Sequence, residues 1–128
     1  MNAPQQNPAD ELPLSPTVFY ILLALADGER HGYGIIQEVL ETTNGQVHMA
    51  PGTLYGAVKR LLAKGLIEES AQRPDPQLDD ERRRYYRLTA FGLRVLRAET
   101  VRLDGMVRQA QARKLLPGDA SRLQAGGG

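Results

Sequence analysis

Apolar residues fall into blocks whose spacing changes along the chain. Val18, Phe19, Ile21, Leu22, Leu23, Leu25 and Ala26 are apolar nearly all round a helix, which predicts a central core helix. Ser15 supplies its N-cap, and Pro16 takes the first helical position, where a missing N–H costs nothing. Asp27-Gly28 ends it. After His31-Gly32-Tyr33-Gly34, the residues Ile35, Ile36, Val39 and Leu40 recur at helical spacing and predict a second helix from Ile35 to Glu41. A third begins at Pro51 and runs from Thr53 to Lys64. It buries Leu54, Val58, Leu61 and Leu62 and closes on Gly65. Its outer side carries Lys59, Arg60 and Lys64 and no acid.

The period then shortens. Leu66–Ser70 and Arg83–Leu88 read as two strands, the second with the β-formers Tyr85 and Tyr86. Their connector holds Pro74, Pro76 and the acids Asp75, Asp79, Asp80 and Glu81, so the hairpin has an extended loop. Thr89 caps a last helix that reaches about Leu116. There Leu93, Leu96, Thr100, Leu103, Val107 and Ala110 alternate in steps of three and four, a coiled-coil-like seam. The expected division is a disordered segment over 1–13, a DNA-binding domain over 14–90, a dimerisation helix over 91–116 and a flexible tail over 117–128. Helix, helix, helix, strand, strand, helix is the winged helix-turn-helix order: mostly α with a small β-hairpin, and a long C-terminal helix. The third helix is the one that fits a major groove, with the hairpin as wing.

Composition narrows the function. At 128 residues one domain is expected, and a chain of this size gains from association. The absence of cysteine removes disulfides, thiolate chemistry and cysteine-bound zinc. His31 and His48 lack an accompanying acid pattern, so neither a metal nor a cofactor is expected. No glycine-rich phosphate loop, Ser-His-Asp set or paired carboxylates point to an enzyme. The start lacks a basic head followed by an apolar run, and Val18–Ala26 is too short to cross a bilayer. A cytoplasmic protein away from membranes is expected. The formal net charge is only +1, so a nucleic-acid partner has to be argued from where the cations lie.

Three motifs carry a family likeness. They are Leu22-Leu23-Ala24-Leu25 followed by His31-Gly32-Tyr33; Pro51-Gly52-Thr53-Leu54-Tyr55 leading to Leu61, Gly65, Leu66 and Ile67; and Arg83-Arg84-Tyr85-Tyr86-Arg87-Leu88-Thr89 with Gly92. Together they span most of Leu14 to Leu96, and on them the chain resembles the PadR family of bacterial transcriptional regulators, in its short form with one C-terminal dimerisation helix. The resemblance implies a homodimer on a double-stranded DNA operator, usually repressing, and in some members released by a small-molecule effector. The chain departs from the family pattern at Gly34, Ala50 and Gly56.

Each candidate residue has a functional and an ordinary reading. Thr53 and Tyr55 lie where helix N–H groups favour phosphate; otherwise they are a cap and a half-buried ring. Lys59 and Arg60 are taken as phosphate contacts, against a solvated basic face, with Lys64 left to solvent. Tyr33 touches phosphate or packs. Arg83 and Arg87 point outward with Tyr85 on one strand face, while the acidic loop beyond is held off DNA by repulsion. Leu93, Leu96, Leu103 and Val107 form the expected dimer seam. With no Trp and only Phe91 as an aromatic in the last helix, an aromatic-sandwich effector site is disfavoured. The reading from another class is a winged-helix protein-interaction module without an operator.

Overall fold

The computed structural model describes residues 6–70 and 84–118. Among them the elements run α1 (Pro16–Ala24), β1 (Arg30–His31), α2 (Gly32–Thr42), α3 (Pro51–Ala63), β2 (Ile67–Glu69), β3 (Tyr85–Leu88) and α4 (Ala90–Ala112). The fold is mostly helical with a small antiparallel sheet, a winged helix-turn-helix followed by a long helix. The expected wing loop, Ala71 to Arg82, and Arg83 lie outside the described residues.

Local chemistry accounts for the boundaries. Ser15 Oγ accepts from the Val18 amide at 3.2 Å, His31 Nδ1 from Gly34 at 2.9 Å and Thr89 Oγ1 from Gly92 at 2.9 Å. Each cap satisfies an amide that the helix leaves open. The His31 cap starts α2 at Gly32, three residues before the apolar periodicity begins. α3 closes on Gly65 at φ +74°. There the Leu66 amide reaches Leu61 O at 3.0 Å and Gly65 reaches Leu62 O at 3.1 Å, a Schellman ending.

The sheet has a third strand that the alternation pattern does not reveal. Its order is β1-β3-β2, with β1 pairing Arg30 to Tyr86 and His31 to Tyr85. Two residues cannot display a period, so this strand follows only from the tertiary pairing. β2 and β3 pair Ile67 with Leu88, Glu68 with Arg87 and Glu69 with Tyr86. Ile67 and Tyr86 join the core, together with Ile21, Leu22, Ile35, Val39, Leu54, Leu61, Leu66 and Val95.

Two expectations change here. The N-terminal segment is ordered from Gln6 onward: Pro8–Glu11 forms a 3-10 turn capped by Asn7, and the strap is tied to distant residues. Gln6 Nε2 donates to Lys64 O at 3.4 Å, Glu11 pairs with Lys64 at 3.3 Å, and the Leu14 amide donates to Glu99 Oε2 at 2.9 Å. Composition pointed to disorder because it cannot register partners this far along the chain. Leu96, expected in a dimer seam, is 5% exposed and belongs to the protomer's own core. A three-four spacing marks burial without saying whose core does the burying.

Among the described residues Glu99 is the buried charge, 1% exposed. Arg102 grips both its oxygens, with Nη2 on Oε2 at 2.9 Å. That hydrogen bond chiefly holds the Glu99 carboxyl below its ordinary value; burial opposes it, and the Leu14 amide and the Arg102 charge reinforce it. A lowered carboxyl stabilises the fold fully above its unfolded value of about 4.3, and the contribution fades as pH falls through the lower folded value. Glu99→Gln should therefore destabilise the protein at neutral pH by about 2 kcal/mol and shrink the loss of stability on acidification. Urea unfolding at a series of pH values measures both; an unchanged acid limb would remove Glu99 from this role.

Candidate nucleic-acid interface

α3 presents one continuous exposed side. At about 3.6 residues per turn, Gly52, Thr53, Gly56, Lys59, Arg60 and Ala63 fall on one arc, opposite the buried Leu54, Ala57, Val58 and Leu61. Thr53, Lys59 and Arg60 are all exposed. Small residues fill the first half of this arc and cations the second, so a flat anionic partner can come close before meeting charge. The start of α3 differs from those of α1, α2 and α4. Its N-cap is Ala50, with no side-chain hydrogen bond, and Pro51 follows at the first helical position.

The structure separates the two tyrosines of the expected site. Tyr33, second residue of α2, is 51% exposed. Tyr55 turns the other way, and its hydroxyl is buried. A Cβ on Gly32 would stand 2.5 Å from that hydroxyl and 2.8 Å from the ring, so Gly32 is the slot into which Tyr55 fits. Tyr55 therefore locks α3 against the start of α2, and a phosphate contact through its hydroxyl does not fit this placement. Its position near a helix start suggested reach; its rotation about the helix decides otherwise.

On the wing, Arg87 is exposed as expected, and its Nε donates to Glu68 Oε1 at 2.9 Å. Arg84 is also exposed and lies 3.6 Å from Glu69. Arg84 shares a strand face with the buried Tyr86, but at the mouth of the hairpin that face has run past the core. His31 and Tyr85, opposed in the register, meet edge to face at 5.4 Å. Lys64, expected to be solvated, is held by Glu11.

Along α4 the described residues divide. Leu93 and Leu103 are half-buried, whereas Val101, Met106 and Val107 are 72%, 57% and 43% exposed. The exposed apolar side chains of α4 thus lie on its second half, at Val101, Met106 and Val107, whereas Leu96 of the expected seam is inside the protomer. No group of His, Asp or Glu among the described residues could hold a metal ion. Nor is any described helix long and apolar enough to cross a membrane.

The model of the transcriptional regulator PadR-like family matches residues 21–98, which takes in the end of α1, all of α2 and α3, the three strands and the first part of α4. The chain belongs to the PadR-like family. Members of the family are transcription regulators, not enzymes. A PadR family transcription regulator from Clostridium difficile R20291 is similar in structure, with 26% identity and a TM-score of 0.64 over 77% of this chain and 97% of that one. Bacillus subtilis PadR, solved in complex with operator DNA, shares the fold at 24% identity and a TM-score of 0.57, over 67% of this chain and 47% of that one. In sequence, a 37.1 kDa protein in transposon TN4556 of Streptomyces fradiae is 39% identical over 90 residues, which is 68% of this chain and 24% of that protein. This chain spans less than two thirds of the length of the curated relatives it matches.

Within this PadR-like chain, the fit of Tyr55 to Gly32 sets the angle between α2 and α3. Gly32→Ala should cost about 1–3 kcal/mol of stability by overpacking. In a Tyr55→Ala background the same change should cost almost nothing, since the ring that it meets has gone. A double-mutant cycle in urea reads the coupling; simple additivity would mean that the two residues do not meet.

Proposed function

We propose that this PadR-like regulator binds double-stranded DNA as a homodimer, laying the exposed side of α3 in the major groove with the wing beside it. The observation that carries this reading is the α3 arc itself, with Thr53 and the small residues first, Lys59 and Arg60 behind, and an uncapped start. At that start the Gly52 and Thr53 amides have no side-chain acceptor, so they can take a phosphate oxygen without giving up a protein hydrogen bond. Lys59 and Arg60 add charge attraction that is blind to sequence, while Thr53 is placed to touch a base edge. Tyr33 extends the phosphate contacts from α2, Arg83 is a further candidate by sequence, and Arg87 can reach a phosphate only by leaving Glu68. The Bacillus subtilis relative solved with operator DNA supports the same use of the fold.

A twofold dimer carries two copies of α3, so the operator would be palindromic, with half-sites about one helical turn, ~34 Å, or a multiple apart. Occupying such a site is repression in its simplest form. Release by a small-molecule effector belongs to the same proposal. An open hollow of about 460 Å³ beside the start of α4, lined by Leu25, Asp27, Leu88 and Leu93 among others, is a space it could use.

Binding to duplex DNA should weaken steeply with salt. Lys59→Ala should lower affinity for any duplex and flatten the slope of log affinity against log salt by about 0.9 for each phosphate no longer neutralised, twice that in a dimer. Fluorescence anisotropy over a salt series tests this. A wild-type chain that binds no duplex would favour a winged-helix module for protein contact instead.

The dimer rests on the exposed half of α4. Wild-type protein should scatter light as a dimer, and Met106→Glu with Val107→Glu should give monomers that still fold, because both side chains lie outside the protomer core. A wild-type monomer at micromolar concentration would rule this interface out.

A further inference from the structure

Among the described residues, the wing cations Arg84 and Arg87 and Lys64 at the end of α3 are already bound to carboxylates. Glu68 and Arg87 stand directly opposite each other in the β2–β3 register, 2.9 Å apart at the charged atoms. Arg84 pairs diagonally with Glu69 at 3.6 Å. These four side chains are between 38% and 52% exposed, so each pair faces solvent and is open to a competing charge. Lys64 is held in the same way by Glu11 at 3.3 Å. On the arc of α3 the pattern stops: no carboxylate of the described residues pairs with Lys59 or Arg60.

A guanidinium paired with a carboxylate offers a phosphate almost no net charge. To neutralise a phosphate it must leave its partner, and the carboxylate left behind repels the DNA backbone. Because Glu68 and Arg87 are opposed by the strand register, the pairing is built into the hairpin rather than into one chance rotamer.

Resting on the reading that α3 and the wing face DNA, we infer that Glu68 and Glu69 limit affinity by holding Arg87 and Arg84 off the phosphates. Sequence-independent attraction then comes mainly from Lys59 and Arg60. With that attraction held down, a larger share of binding is left to contacts that read bases. The two glutamates are thus specificity-determining residues that need not touch a base.

The test uses the full chain and a mixed-sequence duplex, titrated by anisotropy across a salt series. Glu68→Gln with Glu69→Gln should bind about tenfold more tightly at low salt, with a slope steeper by about 0.9 for each arginine freed. In a chain that also carries Arg84→Ala and Arg87→Ala, the two glutamine changes should leave the slope where it was. Exposed pairs add little to stability, so all variants should melt like the parent. If wild type binds with a normal salt slope and the glutamine variant matches it, the inference falls while the DNA reading stands. An equal gain without the arginines also overturns it, since only net charge would then have acted. A wild-type chain without salt-dependent binding overturns both.

Discussion

Among the described glycines, Gly92, in the first turn of α4, has the least room for a side chain, because it packs against the carbonyl of Leu66. A Cβ on Gly92 would lie 1.9 Å from that oxygen, so any side chain there forces two backbones apart. Thr89 binds the same junction: its amide donates to Leu66 O at 3.1 Å, and its hydroxyl donates to Gly65 O at 2.6 Å while accepting from Gly92. Gly65 and Leu66 form the Schellman ending of α3. The end of the exposed helix and the beginning of the long helix are therefore one rigid joint, with β2 leaving from it. Two exposed faces, the polar arc of α3 and the apolar end of α4, take their relative direction from this contact. In a twofold assembly, a small change of angle here would be amplified along α4 into a large change in the separation of the two α3 helices.

How much of the fold and the site is legible in the sequence depends on the range of the interaction concerned. Ser15, Pro16, Pro51, Gly65 and Thr89 mark helix ends through bonds to near neighbours, and those ends fall within a residue or two of where the chemistry puts them. The helical order, the hairpin and the exposed Lys59 and Arg60 follow from spacing in the same way. What escapes needs a distant partner. β1 exists because Arg30 and His31 find Tyr86 and Tyr85. The strap before Leu14 is ordered because Glu99 and Lys64 hold it. Leu96 is buried by its own protomer, and Tyr55 is drawn inward by a slot at Gly32; nothing in the immediate sequence of either distinguishes that from an outward role. Arg83 and the acidic loop lie outside the described residues, so for them only the sequence speaks.

The distribution of charge has a similar logic. A formal net charge of +1 gives no general attraction to an anionic polymer, and the acids that balance the cations are placed unevenly. Glu68 and Glu69 sit beside the wing cations and Glu11 beside the end of α3, while the exposed arc of α3 carries cations alone among the described residues. A protein can in this way remain nearly neutral overall and still present a local positive field, whose range in physiological salt is about 8 Å.

The strap bears on how the molecule is made. Leu14 and its carboxylate acceptor on Glu99 are 85 residues apart in the chain, and Gln6 and Arg94 are joined across 88. Closing loops of that length costs entropy that the helix pairs of the interior do not face. During synthesis the strap is made before the helices it packs against, and the Leu14 amide has no carboxylate acceptor until Glu99 has been made. A segment made ahead of its partners thus depends on them for its place.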